Sequence, residues 1–281
     1  MAVLPKLMLL WMSCVLSLLT IQAMASECDG LRRPHFPHCS PVRFSKHPAE
    51  GPITVVLLNF NRPDNIRMIV DKMVTYRNVA EIIIVSNNPN TTFTYSHEKV
   101  VVLDMMVYED ELGVAVRFKA CLLATNWHIL IADDDLIVTE AGLSNLLTAR
   151  HQHPQSIVGF WGRDFDPDNV AYALRESGPG HHGIALTKAL LLDTCACRAF
   201  WAASHLMHDL VHEAAVTWNG EDIFMSLVTS KILGDKPYIV PRDAIDVQEL
   251  HEGDVAISAS SDHVSHRNKF LQTAVQRLQC F

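Results

Sequence analysis

His128-Ile-Leu-Ile-Ala-Asp-Asp-Asp-Leu-Ile-Val138 runs a strand-like apolar stretch into three consecutive carboxylates, Asp133, Asp134 and Asp135. Adjacent anions repel one another, and at the end of a buried strand they are partly desolvated as well, so the arrangement is costly unless a cation shares the site. Hard oxygen ligands of this kind suit magnesium or manganese, which keep open positions for phosphate oxygens or water. The same residues also describe a solvated acidic turn before a helix, because Asp is a good N-cap and a helix N-terminus favours negative charge. Far along the chain, Trp218-Asn-Gly-Glu-Asp-Ile-Phe-Met225 carries a second acidic pair, Glu221 and Asp222, ahead of an apolar helical stretch. It reads either as a helix start with dipole-favoured acids or as a catalytic carboxylate presented beside a sugar. Acids for a metal in one place and acids for chemistry in another are what a metal-dependent glycosyl or phosphoryl transfer needs.

Such groups need a rigid frame. Ile53 to Phe60 is an apolar, β-branched run, broken by Asn61-Arg62-Pro63 before an amphipathic segment from Asp64 to Tyr76. Glu81 to Ser86 predicts a second strand closed by Asn87-Asn88-Pro89, and Val100 to Leu103 a third. Val114 to Thr125 predicts a helix, His128 to Ala132 the strand before the triplet, and Thr139 to Gln152 another helix. This alternation, with strands lacking polar alternation, predicts an α/β fold with a mostly parallel, Rossmann-like sheet covered by helices on both faces. Ligands in such sheets sit beyond the carboxyl ends of the strands, where this chain carries Asn61-Arg62, Asn87-Asn88 and the Asp triplet. The second half is less regular. Short strands are expected at Ile157 to Trp161, Asn169 to Leu174 and Ile184 to Leu186, and a helix from Thr187 to Phe200.

Lys6, the apolar run Leu7 to Ile21 and Ala23-Met24-Ala25 have the layout of a secretory signal at residues 1–25. An uncleaved signal-anchor is the alternative, and only then is a membrane a partner. Either way the domain is expected in the lumen of the endoplasmic reticulum or Golgi, or secreted. Residues 26–51 read as an irregular leader rich in Pro, His and Arg, and 52–281 as one domain. The net charge of -8 leaves no basic stripe for phosphates, so nucleic acid is excluded as a partner. Six cysteines follow the signal, an even number that permits disulfides in an oxidising compartment, with Cys28 and Cys39 the first pair to join. Cys195-Ala-Cys197 lacks the second pair or histidine that a structural zinc site requires. Asn90-Thr91-Thr92 is a glycosylation sequon.

His181-His182 and the scattered His205, His208 and His212 invite a metal reading, but the last three lie at helical spacings without a carboxylate-rich partner motif; His251 and His263 are better placed, yet read first as surface or core-satisfied histidines. Trp161, Trp201 and Trp218 have faces on which sugars stack, and Trp218 adjoins the acidic pair. No Ser/His/Asp or Cys/His set has a nucleophile context.

The ordered set Asn61-Arg62, Asn87-Asn88, strand-Asp133-Asp134-Asp135, Ile157-Val158-Gly159-Phe160, Asn219-Gly220-Glu221-Asp222-Ile223 and His263-x-x-x-Arg267 resembles the exostosin-like glycosyltransferases. These are the catalytic domains shared by the heparan sulfate polymerases and their smaller relatives. The resemblance spans about Ile53 to Arg267. It implies a GT-A fold, a UDP-linked N-acetylhexosamine donor, a glycan or glycoprotein acceptor, manganese, and transfer that retains the anomeric configuration. By the same resemblance Arg62 approaches the uracil or diphosphate, Asn87 the uridine and Arg117 the nucleotide-sugar. Asp135 binds the metal, while Asp133 and Asp134 hold the ribose and sugar side. Asp222 lies near the anomeric carbon with Glu221 beside it, and Arg267 neutralises the leaving diphosphate. Gly220 and Phe270 stand where the family has a pair of disulfide-bonded cysteines, so both halves are absent together. Leu58 and Leu112 stand at two nucleotide-pocket positions where the family has amides. The alternatives are a GT-A enzyme using another nucleotide sugar, and a catalytically silent carbohydrate-binding relative.

Overall fold

The computed structural model describes residues 51–88, 92–217, 219–247 and 262–279. The signal, the Cys28–Cys39 pair, the Asn90 sequon, Trp218 and His251 lie outside the described residues. The elements run β1 (Ile53–Asn59), α1 (Pro63–Met73), β2 (Val79–Ser86), β3 (Val100–Asp104), α2 (Glu109–Leu112), α3 (Val116–Ala120), β4 (His128–Ala132), β5 (Leu136–Val138) and α4 (Glu140–Gln152). Six short strands follow: β6 (Val158–Gly159), β7 (Gly162–Arg163), β8 (Phe165–Asp166), β9 (Ala171–Tyr172), β10 (Gly180–His181) and β11 (Ile184–Ala185). The chain closes with β12 (Ala189–Asp193), α5 (Thr194–Leu206), α6 (His208–Thr217), α7 (Glu221–Leu233), β13 (Tyr238–Ile239), β14 (Ala244–Asp246) and α8 (His263–Leu278).

One sheet of eight strands carries the fold, in the order β10-β13-β6-β12-β4-β1-β2-β3. β1 pairs in parallel with β2 and β4, β2 with β3, and β6 with β13. β12 is antiparallel to both β4 and β6. All seven residues of β1 are buried because both faces of the sheet are covered. Alternate side chains of a strand point to opposite faces, and the core divides accordingly. Val56, Leu58, Ile83, Val85, Ile129 and Ile131 join residues of α5, α6, α7 and α8 on one face. Val55, Leu57, Ile82, Ile84 and Leu130 join residues of α1 and α4 on the other.

Sequence-level chemistry sets the helix starts. Pro63 opens α1, where its missing N–H costs nothing. The Thr139 hydroxyl accepts from Gly142 N–H at 2.9 Å and caps α4. Asp193 caps α5 through Ala196 N–H at 2.9 Å and forms a buried ion pair with Arg150.

The expected first half is present, with one change. The single helix predicted over Val114 to Thr125 is instead part of a relay of 3-10 and short α-helical turns from Met106 to Leu123, pivoting on Gly113 with φ of 48°. A Cβ at Gly113 would lie 2.8 Å from the Ala215 carbonyl oxygen, so the chain bends there to lie against α6. A larger correction falls on Thr187 to Phe200. Its first part is the fully buried strand β12, and the helix starts only at Thr194. The Ala-Leu-Leu-Leu run favours helix locally, but the space between β4 and β6 takes it into the sheet. The expected strand Asn169 to Leu174 shrinks to Ala171–Tyr172, paired with Phe165–Asp166. Cys121 and Cys197 are buried free thiols, while Cys195 is disulfide-bonded.

Candidate active site

In the parallel part of the sheet the strand order reverses between β1 and β4, so the connections leaving their carboxyl ends diverge and open a crevice. Because β12 runs against β4, its starting residues Thr187 and Lys188 arrive at the same edge, and Asp133 N–H donates to the Lys188 carbonyl at 3.0 Å. A cleft of about 740 Å³ opens here. Its lining includes Arg62, Arg117, Asp133, Asp134, Asp135, Glu221, Asp222 and Arg267, gathered from β1, α3, the β4 end, α7 and α8.

Four of these acids, Asp133, Asp134, Asp135 and Asp222, each face a cation. Arg117, 5 % exposed, donates to Asp133 at 2.6 Å and to the Val114 carbonyl at 3.1 Å. Arg62 meets Asp134 at 2.9 Å. Lys188 stands 3.5 Å from Asp135 and 3.3 Å from Asp246. Arg267 donates to Asp222 at 2.7 Å and to Asn219 at 2.8 Å, and lies 4.4 Å from the centre of the Tyr172 ring. Burial pushes the Asp134 carboxyl up to about 6, against the pull of Arg62. Asp135 is also raised by burial, with Lys188 opposing. Arg267 rises despite its burial, because Asp222 holds its charge. Arg117 behaves alike beside Asp133 and Glu221.

The α7 start presents the second pair of acids. Gly220 has φ of 106°, a left-handed conformation, and its α-carbon abuts the Phe270 ring. The two positions where the resemblance places a disulfide are therefore in contact, the glycine making room for the ring. An added Cβ would lie 2.8 Å from Phe270 and sit on a disfavoured φ. Gly220→Ala is expected to lower stability by about 2 kcal/mol, measured by urea denaturation.

Glu221 accepts from the Thr187 hydroxyl at 3.0 Å. Burial, then the neighbouring Asp222, raises its carboxyl from 4.5 to about 7. Its folded form thus holds a proton that the unfolded chain releases near 4.5. The stability from this group is fully present below pH 4.5 and is lost as pH rises to about 7. Scanning calorimetry with chelator is expected to show wild type losing Tm between pH 5 and 8 relative to Glu221→Gln, which keeps the Thr187 hydrogen bond without the charge.

Asn87 is not part of the cleft lining. It is fully buried, donating to the Gly113 carbonyl at 3.4 Å, and its Oδ1 has no hydrogen-bond partner. Leu58 does line the cleft, whereas Leu112 is buried in the core. His263 lines the cleft beside Asn219, at 3.2 Å, and is pushed down by burial and by Arg267. His182 bonds Asp164 and the Gly178 carbonyl, each at 2.8 Å, within the loop connections. Trp201 donates to the Phe118 carbonyl at 3.0 Å, while Trp161 belongs to the cleft. Sequence reasoning missed Lys188, Asp246, Thr187 and Tyr172. Lys188 was hidden because its segment reads as helix; once Ala189–Asp193 is a strand antiparallel to β4, Lys188 falls opposite Asp133.

Among the described residues no group of three His, Cys, Asp or Glu side chains forms a metal cage. The donor set nevertheless fits manganese or magnesium, which bind through one or two carboxylates and fill the rest with phosphate oxygens and water. Asp135 could supply such a ligand, because its Oδ1 is buried and has no hydrogen-bond partner.

A solved structure of GalNAc-T7 with UDP, GalNAc and Mn2+ matches with a TM-score of 0.50 at 12% identity, over 81% of this chain and 48% of that one. A mannosyltransferase from Pyrobaculum calidifontis, solved with GDP-Man and Mn2+, gives a TM-score of 0.43 at 12% identity, over 85% and 79% of the two chains. The fold is of the GT-A type. Glucosamine inositolphosphorylceramide transferase 1 from Oryza sativa subsp. indica and its japonica counterpart are each 27% identical over 214 residues. The match takes in 74% of this chain but only 28% of the length of those relatives. A family model described as the glycosyl transferase family 64 domain matches residues 53–279, most of the chain, and the chain belongs to that glycosyltransferase family.

Proposed function

We propose that this chain is an exostosin-like, retaining glycosyltransferase that moves an N-acetylhexosamine from a UDP-sugar to a glycan or glycoprotein acceptor in the secretory pathway. The observation that carries the reading is the buried Arg267–Asp222 pair facing the same cleft as the Asp133–Asp135 triplet. The name of the rice relatives supports an amino sugar as the group transferred.

Asp135 would hold the divalent metal, manganese by preference, which when bound neutralises negative charge on the diphosphate. Arg267 and Arg117 place fixed positive charge where the leaving group gains electrons, and neither needs to reorganise because each is already held by carboxylates. Asp222 uses both its oxygens: Oδ2 meets Arg267 at 2.7 Å, and Oδ1 accepts from Ile223 N–H at 2.8 Å. That engagement favours stabilisation of an oxocarbenium-like sugar over direct nucleophilic attack. Glu221 holds its own proton near neutral pH, so neither acid is a free base. As the anomeric carbon–phosphate oxygen bond breaks, the departing oxygen keeps the electron pair and takes the proton of the acceptor hydroxyl, whose oxygen bonds to the anomeric carbon on the same face.

The test is hydrolysis of a panel of UDP-sugars, with and without manganese. Release of UDP from a UDP-N-acetylhexosamine in preference to other donors is the expected result. Turnover of a different nucleotide sugar would point to the GT-A alternative. Metal-dependent UDP binding with no turnover on any donor or acceptor would make the chain a silent carbohydrate-binding relative.

A further inference from the structure

Lys188 bridges two carboxylates that no motif groups together. Its ammonium stands 3.5 Å from Asp135 Oδ2 and 3.3 Å from Asp246 Oδ2, and its side chain is 24 % exposed. β5 and β14 hold the two acids side by side: Asp246 pairs with Leu136, and Val247 N–H donates to the Asp135 carbonyl at 2.7 Å. The ammonium also lies 5.4 Å from the centre of the Trp161 ring. The remaining oxygen of Asp135 is buried with no hydrogen-bond partner. Lys188 therefore occupies the electrostatic place of a cation on one side of Asp135, while the opposite oxygen is left for another ligand.

Resting on the donor and metal reading above, we infer that Lys188 competes with the divalent metal in the nucleotide-free protein and thereby makes tight metal binding depend on the nucleotide. A divalent ion approaching Asp135 meets a neighbouring ammonium that repels it and holds the other oxygen. Lysine suits this role because its charge is a compact point on a flexible stem, able to release one anion and follow another. A bound diphosphate supplies that second anion and adds oxygens for the metal, so the nucleotide lifts the competition. By linkage, the factor by which the nucleotide tightens metal binding is the factor by which metal tightens nucleotide binding. The arrangement keeps the free site from loading metal without donor.

The test titrates MnCl2 into the full chain and reads the free-ion electron paramagnetic resonance signal, first without nucleotide and then with saturating UDP. Wild type is expected to bind Mn2+ at least tenfold tighter with UDP. Lys188→Met is expected to bind Mn2+ alone at least tenfold tighter than wild type, with its gain from UDP reduced by a comparable factor. Lys188→Arg, which keeps the charge, stays at or below the wild-type affinity. Lys188→Gln repeats the neutral arm should the methionine variant lose its circular dichroism signature. If folded neutral variants bind Mn2+ alone no tighter than wild type, the inference is wrong while the donor reading stands. If wild type binds no Mn2+ with or without UDP, the donor reading and the inference fall together.

Discussion

Asp222→Asn is expected to lower the transfer rate by about a thousandfold while leaving UDP affinity in the presence of manganese within about threefold. The change removes one negative charge and the 2.7 Å hydrogen bond from Arg267. The amide oxygen still accepts from Ile223 N–H, and Arg267 keeps its 2.8 Å bond to Asn219. Breaking a buried ion pair ordinarily leaves an uncompensated charge, at a cost of about 3–5 kcal/mol. Here Glu221 moderates that cost. Its proton is held up by burial and by Asp222, so removing the Asp222 charge lets Glu221 ionise more readily and answer Arg267 in its place. The variant therefore folds and binds nucleotide, but its negative charge is displaced by one residue from the reacting carbon. Steady-state kinetics beside calorimetric UDP titration separates the two effects. Retention of full transfer activity by Asp222→Asn would remove that residue from the mechanism.

Asp135→Asn is expected to abolish the manganese dependence of UDP binding, weakening nucleotide affinity in saturating metal by about a hundredfold, in line with the loss of a direct ligand. Asp134→Asn is expected to do far less to metal binding. Asp134 is already engaged by Arg62 at 2.9 Å, so its loss frees that arginine rather than removing a metal ligand. Asp133 is clamped by Arg117 and serves to fix that arginine. The three adjacent acids differ because each meets a different cation from a different element. Isothermal calorimetry of the single variants checks the ranking, and equal losses from all three would contradict it.

The frame of the molecule was legible because its signals are local and redundant. The apolar runs at Ile53, Glu81 and His128, the Pro63 helix start and the Thr139 cap each declare an element without help from the rest of the chain. The triplet, the acidic pair and Arg62 were likewise visible as residue types at strand and helix ends, Arg117 and Arg267 only through the family resemblance, and the fold brings them all to one cleft. What the sequence hid depends on contacts distant along the chain. The stretch after Thr187 has helical residues, yet tertiary pairing with β4 makes it a strand, and that pairing is what turns Lys188 toward Asp135 and Asp246. Asp246 carries no motif and matters only because β14 lies against β5. Asn87, placed on the uridine by resemblance, sits one layer below the cleft on the Gly113 carbonyl. The pairing of positions 220 and 270 is implied by the family resemblance, and the structure sets the two side by side, the Phe270 ring lying 2.8 Å from where a Cβ on Gly220 would fall.

The most direct measurement of the central claim is a crystal structure of the full chain with UDP and manganese. One metal is expected on Asp135, with the diphosphate lying between it and Arg267 and the uridine extending toward Arg62. A nucleotide bound away from this cleft, or a diphosphate in the cleft with no metal contact to Asp135, would contradict it.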